Sequence, residues 1–411
     1  MTLINEYYID IMKNRLSCIL LMLFAVQSMM AQLTSLGLVD ESNVQDKKNE
    51  IKRGLYFIPE ITFVGENMLY AGTPTGLYKC DISNLDAVQW EKLPITDDII
   101  EDFEVRGDTI IVLSRKELLL SVDGDMTAQR RFSDTVFLDD INYAQRELCN
   151  VAVYPGDAKR FYVAHQTNYL SYTDDFGESW TRIEGKGLTD LFYSPHNSNK
   201  LVGYRYVAPI WSAGASISTD GGLSWDSARD VTQQHSDMYR IAFHPTDSNR
   251  LALCGNGSYA LSFDGGASWQ GILRQVGVWE YSVAYLIDVI YDPRNPDTLY
   301  GAQLYSDFFK ENLDTMKVIR STDGGLTWNE FFVEPMANKG NLLRMDIKDN
   351  LLALYTSANG IYLLDVDAVD TSIPAIENET SAALYYDLQG RPVAAPARGI
   401  YIKDGKKVVI R

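Results

Sequence analysis

Ser321-Thr322-Asp323-Gly324-Gly325-Leu326-Thr327-Trp328 is the stretch whose reading decides the fold. The same spelling, Ser/Thr-x-Asp-x-Gly-x-Ser/Thr-Trp, recurs at Thr173–Trp180, Ser218–Trp225 and Ser262–Trp269. Each copy lies between short apolar runs, as Tyr259-Ala260-Leu261 and Trp269-Gln270-Gly271-Ile272-Leu273 flank the third. This is the pattern of a β-hairpin. Gly222, Gly266 and Gly325 supply a backbone position with φ > 0. Asp175, Asp220, Asp264 and Asp323 can accept bonds from free N–H groups of the turn, as short acidic side chains do. The Ser or Thr at either end can bond across it. Trp180, Trp225, Trp269 and Trp328 give each small hairpin a large apolar anchor. None of this requires a substrate, so the octets read as structural. They are not calcium loops, which need a longer run of spaced oxygens ending in Glu.

A wider repeat surrounds each octet: apolar strand, turn, apolar strand, loop, strand, octet, strand. Ile241–Pro245, then Leu251–Cys254, then Ser262 show it most clearly. Val151–Pro155 with Phe161–Ala164, Leu191–Pro195 with Leu201–Tyr204, and Val289–Pro293 with Leu299–Ala302 repeat it. Degenerate copies start at Ile61, at Ile110 (leading to the imperfect octet at Ser121) and at Met345. The octet aspartates, with Asp123 of the imperfect copy, are spaced 52, 45, 44 and 59 residues apart. A four-stranded propeller blade occupies about 40–50 residues. Seven copies between 54 and 369 therefore predict an all-β, seven-bladed β-propeller with a small C-terminal β appendage. A six-bladed ring is the competitor. The seventh copy is one strand short, and Leu55–Ile58 stands before the first with no blade of its own. Pairing that strand with Gly360–Leu364 would close the ring and remove its open edges.

The octets resemble the Asp-box, or BNR repeat, of sialidases, sortilin-type receptors, xyloglucanases and photosystem II assembly factors, over roughly Gly54 to Val369. The resemblance implies that the octet closes the hairpin between the third and fourth strands of a blade, away from the functional face. Sialidases also need an arginine triad, one member of which sits in an early Arg-Ile-Pro motif. Here Tyr56-Phe57-Ile58-Pro59 has Phe at that place, and a phenyl ring cannot replace a guanidinium fork. A different glycosidase chemistry would need two carboxylates at a set separation, which the sequence does not single out.

Met12-Lys13-Asn14-Arg15 and the apolar Leu16–Val26 form a signal-peptide pattern too short to span a bilayer, with a cleavage junction at Ala31-Gln32. Residues 1–31 thus read as a signal peptide with an over-called start at 1–11, and 32–53 as a linker. The protein is expected to be exported to the periplasm, cell surface or medium with no retained transmembrane segment. After a link at 370–381, residues 382–411 carry Gly399-Ile400-Tyr401-Ile402 and a basic last strand. They resemble the C-terminal sorting modules of type IX secretion, which implies secretion machinery as a partner. The formal net charge of −18 argues against nucleic acid and anionic membranes as partners. Cys80, Cys149 and Cys254 read as buried small hydrophobes. His165, His196, His235 and His244 read as turn or surface residues rather than a metal site, and no cofactor is implied.

Strand order places the second-to-third loops and the links between blades on the face opposite the octets. Two such loops are long, Arg205–Ala215 and Tyr305–Lys317. Long loops on a rigid scaffold carry binding function. Arg205, Trp211, Asp237, Tyr239, Arg240, Trp279, Glu280, Tyr305 and Phe308 are therefore the candidate ligand-binding residues, converging on one rim. Lys339 and Arg344 lie in the next link. Rings with a few charges suit a sugar or a protein partner. Two functions follow: an exported propeller binding a glycan or protein without catalysis, or a glycoside hydrolase of the Asp-box type. Two facing carboxylates on that face would favour the second.

Overall fold

A computed structural model describes residues 33–38, 60–114, 117–124, 129–133, 148–165, 169–184, 188, 190–207, 212–226, 229–230, 238–255, 258–271, 282–307, 315–335, 342–356, 360–372, 385–386, 392–393, 399–403 and 406–410. Seven four-stranded antiparallel sheets follow one another as blades. The first blade is Ile61–Val64, Met68–Thr73, Gly76–Asp81 and Trp90–Lys92, and the second Ile100–Arg106, Thr109–Ser114, Glu117–Ser121 and Gln129–Ser133. The third is Leu148–Val153, Phe161–His165, Tyr169–Thr173 and Thr181–Glu184; the fourth Asp190–Ser194, Asn197–Val207, Ser212–Ser218 and Arg229–Asp230. The fifth is Met238–Phe243, Leu251–Gly255, Ser258–Ser262 and Gln270–Gly271; the sixth Ser282–Tyr291, Leu299–Asp307, Thr315–Ser321 and Asn329–Pro335. In the seventh, Leu342–Lys348, Leu351–Thr356 and Gly360–Asp365 are joined by Leu33–Gly37 from the other end of the chain. The seven-bladed all-β expectation holds.

The core lies between blades. Ile111, Leu113, Leu118 and Leu120 of the second blade pack on Val151, Val153, Phe161 and Val163 of the third. Second strands such as Thr109–Ser114 and Leu251–Gly255 are buried at every position, because each blade is covered on both faces. Cys80 and Cys254 are buried free thiols in these layers, as expected of small hydrophobes.

The ring closes with an N-terminal strand, but not the expected one. Leu33, Thr34 and Ser35 pair with Leu364, Leu363 and Tyr362, and Gly37 pairs with Ile361, in the stretch read as a linker. Leu55–Ile58 lie outside the described residues. An outer strand needs little apolar content, since one face meets solvent. Only Leu36 is fully buried here, among Ile61, Leu69, Ala353 and Ile361. Trp90 of the first blade donates its indole N–H to the Leu36 carbonyl at 2.8 Å.

All four octets share one bonding scheme. Ser321 Oγ donates to Asp323 at 2.8 Å and accepts from the Gly325 N–H at 2.9 Å. The other Asp323 oxygen accepts from Thr327 Oγ1 at 2.6 Å, and its first oxygen accepts from the Thr327 N–H at 2.9 Å. Asp175, Asp220 and Asp264 make the same bonds to Ser179, Ser224 and Ser268. Gly222, Gly266 and Gly325 have φ of 97°, 93° and 93°. Each octet also docks on the preceding blade: Tyr162 Oη donates to the Gly221 carbonyl at 2.7 Å, and a Cβ on Gly325 would fall 2.1 Å from Tyr259 Oη. The tryptophans are half-buried. Trp180 meets Phe132 and Phe161 edge-on at 5.8 and 5.6 Å, and Trp328 meets Tyr259 at 5.5 Å. They therefore bridge blades as well as anchor their own hairpin.

The helix Val366–Ser372 follows the last blade. A second compact unit, Asp367–Arg411, holds a four-stranded sheet in the order Pro392–Val393, Tyr385–Tyr386, Gly399–Lys403, Lys406–Ile410. Among the described residues no helix is long and apolar enough to cross a membrane.

Gly325→Ala is expected to cost at least about 1–3 kcal/mol, from strain at positive φ and the clash with Tyr259. Gly271→Ala, with open space around its Cβ, should be near neutral. Trp225→Ala should cost about 2–3 kcal/mol, below the about 3–5 kcal/mol of a fully buried ring. Denaturant unfolding measures all three, and equal stability of the two glycine variants would contradict the docking.

Candidate functional site

The first strand of every blade leaves half of its N–H groups unpaired toward the central channel, and buried donors need acceptors. One polar residue per blade stands just before the first-strand apolar run: Glu60, Asp102, Asn150, Asp190, Arg240, Asp288 and Arg344, and three of them, Asp102, Asn150 and Asp288, accept from such donors. A bulge immediately precedes five of them, between Ile100 and Asp102, Leu148 and Asn150, Met238 and Arg240, Leu286 and Asp288, and Leu342 and Arg344. Bulges re-aim side chains, and here they turn these residues toward the next blade. Asp102 accepts from the Val151 N–H at 2.7 Å and from Asn150 Nδ2 at 2.9 Å. Asn150 Oδ1 accepts from the Leu191 N–H at 3.0 Å, and Asp288 from the Met345 N–H at 2.6 Å. Further along the seventh blade's first strand, Asp346 accepts from the Phe63 N–H at 2.7 Å.

The ring lies at the channel end opposite the octets. Octet glycines donate to the turns between first and second strands, Gly221 to Asn199, Gly265 to Asn249 and Gly324 to Asp297, each at 2.8 Å. Those turns follow the first strands, whereas the ring residues begin them. His244 sits in one such turn, its Nδ1 accepting from the Thr246 and Asp247 N–H groups at 3.2 and 3.0 Å, and His196 Nε2 meets the His244 carbonyl at 2.7 Å. These two histidines are turn residues on the octet face. No group of metal-binding side chains occurs among the described residues.

Charge divides the ring. Blades five to seven and one hold an ion network: Arg344 to Glu60 at 3.0 Å and to Asp288 at 3.6 Å, Arg240 to both acids at 3.5 Å. Asp288 is wholly buried. Burial alone would lower the Arg344 pKa, but Glu60, Asp288 and Asp190 overcome this and raise it. In blades two to four the acids are Asp102, Asp190 and Glu104, the last paired with Arg106 at 3.2 Å. Burial pushes Asp190 up to about 7, opposed by its bond from Tyr204 and by Arg344. It pushes Glu104 to about 7 against the pull of Arg106, although 27 % of the Glu104 side chain remains exposed. Asp102 is raised by burial and then by the charge of Glu60, and Asp346, again by burial, to about 6.

Two blades rise above the ring. In the fourth, Tyr204 lies level with Asp190, and the hairpin continues to Val207 paired with Ser212, about 10 Å further at 3.4 Å per residue. In the sixth, Ala302 lies level with Asp288, and pairing runs on to Ser282 with Asp307, about 17 Å further. Between them the fifth blade turns back at Gly255 and Ser258, one residue past Cys254, the partner of Arg240. Among the described residues the result is a notch over the fifth blade between two walls.

Of the expected rim residues, Arg205 and Tyr305 stand on the strands of these walls and Tyr239 on the fifth blade's first strand. Arg240 lies at the notch floor with its side chain in the ion network. Trp211, Asp237, Trp279, Glu280 and Phe308 lie outside the described residues. Apart from Arg240 and the link residue Arg344, the ring was not foreseen. Its signal is the polar residue immediately before each first apolar run, visible once the copies are aligned.

A carboxyl raised on folding holds a proton that the unfolded chain releases near pH 4. Folded stability therefore falls as pH rises from about 4 to about 7 and then levels. The octet carboxylates act elsewhere: bonds from Ser179 hold Asp175 down at about 2, so its contribution is lost only below about pH 4. The melting temperature should be higher at pH 5 than at pH 7.5, and Asp190→Asn with Glu104→Gln should flatten that difference. A higher melting temperature at pH 7.5 would contradict the assignment.

No family model matches the chain, and no curated protein does. Solved structures do. The YCF48 structure bound to D1 peptide has a TM-score of 0.52 at 15 % identity, covering 74 % of this chain and 90 % of that one. YCF48 from Cyanidioschyzon merolae has a TM-score of 0.55 at 11 % identity, covering 82 % and 99 %. The GH74 xyloglucanase from Xanthomonas campestris has a TM-score of 0.58 at 14 % identity, covering 82 % of this chain and 54 % of that one. At these identities the likeness is one of fold.

Proposed function

We propose that this chain is an exported Asp-box propeller that binds a glycan or protein partner in the notch over the fifth blade. The unequal height of blades four, five and six carries the reading. A scaffold that only had to close would not need two tall hairpins flanking a low one. The peptide-bound YCF48 neighbour supports a protein ligand. Arg205, Trp211, Asp237, Tyr239, Trp279, Glu280, Tyr305 and Phe308 supply the rings and charges, with Arg240 at the floor. The tail, with its Gly-x-Tyr strand and basic last strand, acts as the sorting module for export.

A glycoside hydrolase is the second reading. It rests on carboxyls that burial raises to about 7, Asp190 and Glu104, the range a general acid requires, and on the xyloglucanase neighbour. Glycan and peptide arrays followed by hydrolysis assays on every binder separate the two. Trp211→Ala and Trp279→Ala should each abolish binding and leave the melting temperature nearly unchanged. Unaltered binding in both variants would remove the notch from consideration. Turnover lost in Asp190→Asn with binding retained would establish the hydrolase.

A further inference from the structure

The sixth blade splits as it rises. Its second and third strands pair from Leu299 with Ser321 up to Ala302 with Val318, and there the pairing stops. Both strands continue. Gln303–Asp307 stay paired with Leu286–Ser282 of the first strand. Lys317, Met316 and Thr315 pair with Val333, Glu334 and Pro335 of the fourth. The blade thus divides into an inner and an outer two-stranded ribbon. A bulge at Phe331, between the partners of Val318 and Ile319, sits at the point of division, and bulges bend the strand that carries them. Phe331 is held in that position by Tyr300 at 5.3 Å and by the Arg320 guanidinium at 4.4 Å. The fourth blade shows the contrast, since its second and third strands stay paired to the hairpin end.

Among the described residues, no strand pairs with the edges that face each other across the split. Such edges present main-chain donors and acceptors at a two-residue period, which an added strand satisfies and a sugar does not. We infer that an extended, basic segment of a partner protein adds as a β-strand to the Gln303–Asp307 edge, between it and Thr315–Lys317. Charge complementarity sets the sign of the segment. The chain carries −18, Glu334 stands on the outer ribbon, and the ammonium of Lys317 is taken by Glu330. The inference rests on the reading that the face opposite the octets is the binding face, and it replaces the open choice of ligand by a peptide strand.

Hydrogen exchange on the full chain tests it, with three probes: a lysine–valine alternating peptide of about ten residues, its glutamate–valine counterpart, and xyloglucan oligosaccharides. The basic peptide should slow exchange at Gln303–Asp307 and Thr315–Lys317 by about tenfold or more. N-methylation of its alternate amides should weaken binding by about tenfold or more, through loss of several edge hydrogen bonds. Unchanged exchange at both segments with the basic peptide present, or equal binding of the N-methylated or the acidic peptide, would overturn the inference. Protection by oligosaccharide alone would overturn it and leave the binding face standing. No effect of any probe on that face would count against both.

Discussion

A propeller is a sheet array with two open edges until its ends meet, and the meeting of blades seven and one is the constraint on which the rest depends. Six contacts make it. Leu33–Gly37 lies on Ile361–Leu364 at the outside. Leu36 packs into both blades and receives the Trp90 indole. At the channel, Asp346 takes the Phe63 N–H and Arg344 pairs with Glu60. Lys348 caps the Gly65 carbonyl at 2.7 Å on the other side. Closure therefore involves both edges of the blade, with an apolar residue between them. A ring closed only at the outer strand would leave the inner N–H groups without acceptors.

The same inner edge explains the polar ring. Carboxylates and an amide from one blade satisfy main-chain donors of the next, so packing and polar pairing share one repeat. Desolvation makes this costly for charges. Where two arginines are present the acids stay paired, as with Glu60 and Asp288. At Asp102, Asp190 and Glu104 burial raises the carboxyl pKa, against the pull of Arg344 at Asp190 and of Arg106 at Glu104. The ring thus joins an arc of ion pairs to an arc of acids whose pKa burial raises, and the notch over blade five stands at their junction, between Asp190 and Arg240.

The octets were legible because their chemistry is local: turn, glycine, aspartate and tryptophan lie within eight residues and repeat. The blade count followed from their spacing. The closing strand was misassigned because the expectation followed apolar content, and an outer strand such as Leu33–Gly37 buries a single leucine. The ring escaped because its position is constant while its residue type is not, running Glu, Asp, Asn, Asp, Arg, Asp, Arg around the channel. The split of blade six depends on where pairing stops, which alternation of apolar residues does not encode. Arg240, expected on the rim, pairs with Glu60 and the buried Asp288 at the floor of the notch.

Ring closure sets the position of every blade edge, the polar ring and the notch, so it is the claim to test first. Hydrogen exchange at Gly360–Asp365 should be compared between a chain starting at Gln32 and one starting at Val39. The account predicts that the shorter chain loses protection at alternate amides of Gly360–Asp365 by about a hundredfold and melts at a lower temperature. Unchanged protection there would show that another segment, or none, closes the seventh blade.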